Sequence, residues 1–143
     1  MGQLSSGGHL VTGVIADTHA VIWYLLDSPR LSASALAQFE ACRVDGVTVG
    51  VASISIVEIV YLVEKGRIPA ETIPLLEESL EQQAALLEVV PLTQPIALAV
   101  HQIPRDRVPD LPDRVIAATA LNLGVPLITR DQSIKLPNVT EIW

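Results

Sequence analysis

Four acidic residues stand where predicted strands end or predicted helices begin. They are Asp17 after the strand "VIA", Glu58 in the first turn of the helix after "VTVGVA", Asp113 at the start of "LPDRVIAATAL", and Asp131 after "VPLIT". In open parallel sheets the functional crevice lies at the carboxyl ends of the strands. Because all four acids map to that edge, we expect their carboxylates to lie close together.

Carboxylates gathered at one edge repel one another unless a cation neutralises them. The chain has a single cysteine, Cys42, and its histidines, His9, His19 and His101, are scattered. Oxygen ligands without a Cys or His set favour Mg²⁺ or Mn²⁺ over zinc. Such an ion polarises a phosphate and lowers the pKa of a bound water. The acids therefore predict metal-assisted phosphoryl chemistry.

Each acid taken alone also fits an ordinary structural role. Asp17 and Asp113 suit helix starts, Asp131 suits a turn, and Ser55 with Glu58 matches the S-x-x-E capping box. Glu58, however, interrupts "SIVEIVYLV", a helix that is apolar nearly all round, where a carboxylate needs exposure or a partner. Both interpretations remain open on the residues alone.

Short apolar runs alternate with helical segments along the chain. This alternation predicts an α/β fold, with a mostly parallel sheet covered by helices on both faces. The predicted strands are residues 14–16, 47–53, 87–92 and 125–129, with "VTEIW" as an edge strand. The predicted helices are residues 17–26, 32–42, 55–66, 68–87, 94–103 and 111–124.

Bulk composition narrows the class of protein. A net charge of −7 argues against a protein that coats nucleic acid by electrostatics. One cysteine excludes a disulfide framework and favours a cytoplasmic location. The apolar N-terminal stretch is broken by Asp17 and His19, so neither a membrane span nor a signal peptide is expected. Residues 1–10 are interpreted as a leader or cloning remnant, and residues 11–143 as a single domain.

Four motifs, "IADTHAVIWYL", "SIVEI", "LPDRVIAATAL" and "LITRD", resemble the PIN-domain family in order and spacing, most closely the VapC-like toxins of bacterial toxin–antitoxin pairs. The resemblance covers the chain from about Val11 onward. It implies a three-layer α/β/α fold and a Mg²⁺- or Mn²⁺-dependent endoribonuclease that cuts RNA. It also implies a homodimer and a cognate antitoxin as partner.

The resemblance assigns roles to individual residues. It implies that Thr129 supports the site and that the metal is held by an acidic quartet, of which Asp17 and Asp113 are the surest ligands and Glu58 and Asp131 complete the set.

The third motif departs from the D-P-F-D-R form common in these toxins, because it reads Asp110-Leu111-Pro112-Asp113-Arg114. We interpret Asp110 as a helix cap rather than a fifth acid of the site. For Arg114, an ion pair with a site carboxylate is favoured over contact with a substrate phosphate.

Two other classes of protein compete with the nuclease. The first is an inactive PIN-like binding module, against which the intact acidic quartet counts. The second is a receiver-type phosphoacceptor domain, which would have paired acids after its first strand and a Lys-Pro pair after its last. Here Asp17 is followed by Thr18, and "KLP" interrupts the Lys-Pro pair.

The helix "SISIVEIVYLV" carries more apolar surface than one face of a sheet needs. Excess apolar surface of this kind commonly marks an interface. We therefore expect a homodimer that uses this helix, with an antitoxin segment covering part of the remaining apolar surface.

Overall fold

The computed structural model describes residues 11–131 and 136–143, so the predicted leader, residues 1–10, lies outside the described residues. The described strands form a five-stranded sheet in the order β3-β2-β1-β4-β5, and every pairing is parallel. Their bounds are β1 Thr12–Ala16, β2 Thr48–Ala52, β3 Leu87–Val90, β4 Leu127–Ile128 and β5 Glu141–Ile142. The central position of β1 and the edge position of β5 follow from this order, and the latter confirms the prediction for "VTEIW".

Six α-helices and one 3-10 turn connect the described strands. The helices are α1 Thr18–Leu25, α2 Ala33–Asp45, α3 Ser53–Glu64, α4 Thr72–Glu81, α5 Gln94–Ala99 and α6 Leu111–Leu123, and the 3-10 turn is Val100–Gln102. Helices α3 and α6 end where glycines were predicted to stop them. Gly66 and Gly124 adopt φ values of +69° and +68°, which residues with a Cβ rarely adopt.

Alternate residues of each strand point to opposite faces of the sheet, and each face carries its own hydrophobic core. On β1, Val14 and Ala16 join the core under α1 to α4, whereas Ile15 joins the core under α5 and α6. The two cores form the three-layer α/β/α arrangement predicted from the sequence. None of the helices among the described residues is long and apolar enough to cross a membrane.

Helix α4 is shorter than the predicted helix over residues 68–87. It ends at Glu81, after which Gln82 is extended and Ala84 has a φ of +56°. The chain leaves the helix there because Leu87 has to begin β3, which pairs with Val49 of β2. The amphipathic pattern of the sequence continues beyond Glu81, so it predicted a longer helix than the structure has.

Candidate active site

A pocket of about 300 Å³ opens at the carboxyl ends of β1 and β4. These two strands are neighbours, and the backbone N–H of Asp17 donates to the carbonyl of Ile128 at 3.0 Å. The chain leaves β1 into α1 on one face of the sheet and reaches β4 from α6 on the other face, so their boundary is the switch point at which α/β sheets form crevices. All four predicted acids line the pocket, namely Asp17, Glu58, Asp113 and Asp131.

Asp17 is a helix cap and also lines the pocket. It is the N-cap of α1, and its Oδ1 accepts a hydrogen bond from the N–H of Ala20 at 2.9 Å. Its half-buried carboxylate also lines the pocket. Burial raises the pKa of Asp17, although the Ala20 N–H, the Thr129 hydroxyl and the positive charge of Arg130 oppose the rise. The same carboxylate thus starts the helix and contributes charge to the pocket.

Glu58 does not form the capping box that its spacing from Ser55 suggested. Helix α3 begins at Ser53 with Ala52 as its N-cap, and no side chain caps it. Glu58 therefore lies in the second turn, not in the first turn as predicted. Strand β2 passes directly into α3, so the helix starts earlier than the capping pattern indicates.

Glu58 is held by the hydroxyl of Thr18, which sequence reasoning missed, and Thr18 is held by the hydroxyl of Ser55, which was weighed only as a helix cap. The Thr18 Oγ1 lies 2.5 Å from Glu58 Oε1 and 3.0 Å from Ser55 Oγ. A hydroxyl has one proton, so Thr18 donates to the carboxylate and accepts the second bond from Ser55. Thr18 and Ser55 are 4% and 0% exposed. The signal in the sequence was a hydroxyl residue directly after Asp17 and another within an otherwise apolar helix start.

Asp113 is not the cap of α6. The cap is Asp110, as predicted, and its Oδ1 accepts from the Asp113 N–H at 3.0 Å. Asp113 is accessible at the pocket mouth, yet its pKa is raised from 3.8 to about 6. Partial burial is the largest cause, followed by the negative charges of Asp110, Glu58, Asp17 and Asp131. Burial and the neighbouring negative charges thus both favour the protonated form of Asp113.

The remaining wall of the pocket comes from β4, β5 and the turn after β4. Thr129 is buried and its Oγ1 accepts from the N–H of Asp131 at 3.2 Å, so this hydroxyl links two acids of the pocket. Glu141 also lines the pocket, although sequence reasoning did not select it. It reaches the site because β5 pairs with β4, with Glu141 opposite Leu127. With Asp110, which also lines the pocket, Glu141 brings the number of acids in the described lining to six. Only the pairing of the last strand reveals Glu141.

Arg114 differs from its predicted role. Its guanidinium donates to the carbonyl of Ile103 from Nε at 3.2 Å and from Nη2 at 3.0 Å, and to that of Val100 at 3.1 Å. Val100 begins the 3-10 turn and Ile103 directly follows it. Arg114 therefore fastens that turn to α6, and the contacts that its Nε and Nη2 make among the described residues are with these carbonyls rather than with a site carboxylate.

Comparison with known proteins identifies the family. A family model described as PIN domain matches residues 14–138. Ribonuclease VapC22 of Mycobacterium tuberculosis is 31% identical over 136 residues, which cover 93% of this chain and 100% of the relative. The chain belongs to the PIN-domain family.

Solved structures of bacterial complexes share the fold of this PIN domain. A chain from the structure of VapBC2 of Rickettsia felis bound to a promoter DNA fragment superimposes with a TM-score of 0.68 at 17% identity, covering 90% of this chain and 96% of that chain. A chain from DNA-bound VapBC of Salmonella typhimurium superimposes with a TM-score of 0.67 at 18% identity, covering 92% of this chain and 97% of that chain. At these identities the likeness concerns the fold alone.

The pocket of this PIN domain fits a hard divalent cation by its donor chemistry. Its acidic side chains offer only oxygen atoms, and the raised pKa of Asp113 reports a charge that a cation would neutralise. Among the described residues, no three acidic, His or Cys side chains already converge on one point. Mg²⁺ is usually held by one or two carboxylates and several waters. Ligation therefore requires only part of the acidic set.

We predict that metal-free protein loses stability as pH rises from about 4 to about 6. The Asp113 pKa is about 6 when folded and near 3.8 when unfolded, so over this range the folded state binds more protons. The free energy of unfolding then falls with rising pH. Asp17, whose pKa is also raised, acts in the same direction. Urea unfolding in EDTA should show a smaller fall for Asp113→Asn, and an equal fall in both proteins would contradict the assignment.

Thr18→Val should destabilise the protein by about 1–3 kcal/mol, because Glu58 and the buried Ser55 hydroxyl lose a shared partner. Thr18→Ser keeps the hydroxyl and removes only a methyl group, so it is the matched control and should cost about 0.8 kcal/mol. Chemical denaturation of both variants checks the difference. If Ser at this position proves as harmful as Val, packing rather than hydrogen bonding explains the burial of Thr18.

Proposed function

We propose that this PIN domain is a metal-dependent endoribonuclease that hydrolyses RNA phosphodiester bonds and acts as the toxin of a toxin–antitoxin pair. The observation that carries the proposal is the gathering of Asp17, Glu58, Asp113 and Asp131 around one pocket, where burial, followed by the negative charges of its acidic neighbours, raises the pKa of Asp113 to about 6. The ribonuclease name of the Mycobacterium tuberculosis relative supports RNA as the substrate.

In this proposal, Asp17 and Asp113 hold Mg²⁺ or Mn²⁺, and Glu58 and Asp131 complete the ligand set. When bound, the ion polarises the scissile phosphate and lowers the pKa of an attacking water. The protein contributes by fixing its carboxylates. The Ala20 N–H and the Thr129 hydroxyl orient Asp17, and the Thr18 hydroxyl orients Glu58.

Asp113 couples ion binding to proton release. With a pKa of about 6 before ion binding, its carboxyl is partly protonated in mildly acidic buffer. A carboxyl group must lose its proton to become a ligand, so ion binding displaces that proton and weakens as the pH falls. The charge of Asp113 is unfavourable alone and favourable beside a cation, which is the property expected of a metal ligand.

The alternative classes are less well supported. An inactive binding module would bear the repulsion among its carboxylates without using their charge, whereas structural caps account only for Asp17 and Asp110. The receiver-type alternative is excluded by membership of the PIN-domain family.

Cleavage of single-stranded or loop RNA in Mg²⁺ or Mn²⁺ tests the enzymatic proposal. We expect EDTA to stop cleavage, and Asp17→Asn or Asp113→Asn to lower the rate by at least two orders of magnitude. Each substitution keeps the shape of the side chain and removes its charge. Circular dichroism serves as the folding control. Undiminished cleavage by both folded variants in metal-free buffer would refute the mechanism.

A protein partner is part of the proposal. Several solved structures that share the fold are of toxin–antitoxin assemblies, including a toxin–antitoxin complex from Klebsiella pneumoniae with a TM-score of 0.58. We infer a cognate antitoxin for this chain from membership of the PIN-domain family and from the toxin–antitoxin assemblies that share its fold.

We also infer a homodimer through α3. Val57, Val60 and Tyr61 follow helical spacing on one face of α3, and they are 61%, 37% and 53% exposed. An apolar face on a single helix can meet its own copy across a two-fold axis, since each copy presents the same residues. A second copy of the chain is therefore the occupant proposed for this face.

Tyr61→Asp should convert the dimer to a monomer, because it places a charge in the apolar contact. Light scattering after size exclusion, at tens of micromolar protein, measures the change in mass. Leu98→Asp is the matched control, since Leu98 on α5 is 68% exposed and lies outside α3. A wild-type protein that is already monomeric, or equal effects of both substitutions, would refute the interface.

A further inference from the structure

The pocket presents an electrostatic problem for an RNA substrate. Six carboxylates are among its described lining residues, and Arg130 is the one lysine or arginine in that set. A bound divalent cation offsets two negative charges, and RNA adds one more with each phosphate. The phosphates on either side of the cleaved bond therefore face an acidic wall. An RNA chain needs a fixed cation beside the pocket to stay bound.

Arg130 is positioned to supply that cation. Its guanidinium carbon lies 5.3 Å from the centroid of the Trp23 ring, within the range of cation–π attraction. Trp23 is 7% exposed and is packed against Trp143 at 5.7 Å and His19 at 5.5 Å between ring centroids. The ring is thus held on several sides, and it restricts the arginine that lies over it. Less side-chain entropy remains to be lost when an anion binds.

The position of Arg130 along the chain keeps it next to the proposed ligands without making it one of them. It stands between Thr129 and Asp131, and its positive charge lowers the pKa of Asp17 in opposition to burial. Its charge therefore reaches the acidic set directly. Because Arg130 lines the pocket next to Asp131, its guanidinium can contact a phosphate that neighbours the one held over the carboxylates.

A phosphate suits this arginine better than a base does. A guanidinium that lies over a ring keeps N–H donors directed away from it, and their fork matches two phosphate oxygens. The Trp23 ring, being nearly buried and in contact with Arg130, offers no open face for a base to stack on. Contact with the phosphate backbone carries no sequence information by itself.

We propose that Arg130, held by Trp23, binds an RNA phosphate next to the scissile one and so positions the chain over the acidic pocket. This inference rests on the proposed ribonuclease function. It assigns Arg130 the role of a substrate-binding residue, with Trp23 as its support.

The test measures binding of short fluorescein-labelled single-stranded RNAs of several sequences by anisotropy, at constant Mg²⁺ and increasing NaCl. An Asp113→Asn background prevents cleavage. We expect Arg130→Gln to weaken binding of every sequence to a similar degree. The slope of log affinity against log salt should fall by about 0.7, the value for one phosphate contact on a single strand.

Two variants make this result specific. Arg130→Lys keeps the charge and should retain the slope, while binding more weakly because the fork and the stacking are lost. Arg67→Gln removes one charge from an exposed arginine outside the pocket lining and should change neither quantity. An unchanged slope in Arg130→Gln, a loss confined to certain sequences, or an equal effect of Arg67→Gln would overturn the inference.

The two proposals fail separately. If the unsubstituted protein cuts RNA and Arg130→Gln keeps the parental salt slope, the phosphate-binding role is wrong and the ribonuclease function stands. If the unsubstituted protein cuts no RNA with Mg²⁺ or Mn²⁺, the ribonuclease function is wrong whatever the binding slopes are.

Discussion

Repulsion among carboxylates at the boundary between β1 and β4 is the constraint on which the rest of the site depends. Parallel pairing of these strands brings Asp17 beside Thr129, and helices α3 and α6 add Glu58 and Asp113 from the two sides. Burial of Asp113, followed by the negative charges of its acidic neighbours, raises its pKa and so opposes its ionisation. A site of this kind needs a rigid frame, because free carboxylates would move apart. The two hydrophobic cores and the hydroxyls of Thr18 and Thr129 supply that frame.

Capping and site chemistry use the same residues here. Asp17 caps α1 and Asp110 caps α6, and both carboxylates line the pocket. A helix start that follows a strand end offers N–H groups at the sheet edge where the crevice forms, so a carboxylate placed there is anchored by the backbone. Asp17 is therefore both a helix cap and an acid of the pocket. Asp113 lines the pocket without capping the helix, because its own backbone N–H is capped by Asp110.

The sequence predicted the features that depend on local pattern. Apolar runs identified all five strands, glycines marked the ends of α3 and α6, and strand-end position selected the four acids that meet in one pocket. The features it missed depend on pairing in space. Glu141 enters the pocket only through the pairing of β5 with β4, and the contact between Ser55 and Thr18 joins two helices that lie far apart in the sequence. Arg114 was misassigned for the same reason, since the carbonyls that it binds come from a separate turn.

The net charge of −7 and an RNA substrate are compatible if recognition is local. A protein that coats nucleic acid needs many phosphate contacts, and its affinity rises with their number. A nuclease that cuts and releases its substrate needs only enough contacts to hold one bond in place, and tight uniform binding would slow release without speeding the chemical step. An acidic surface with a cation-holding pocket and one stacked arginine meets that requirement. The acidic composition then discourages non-productive binding elsewhere on the protein, because acids outnumber lysines and arginines by 16 to 9 along the chain.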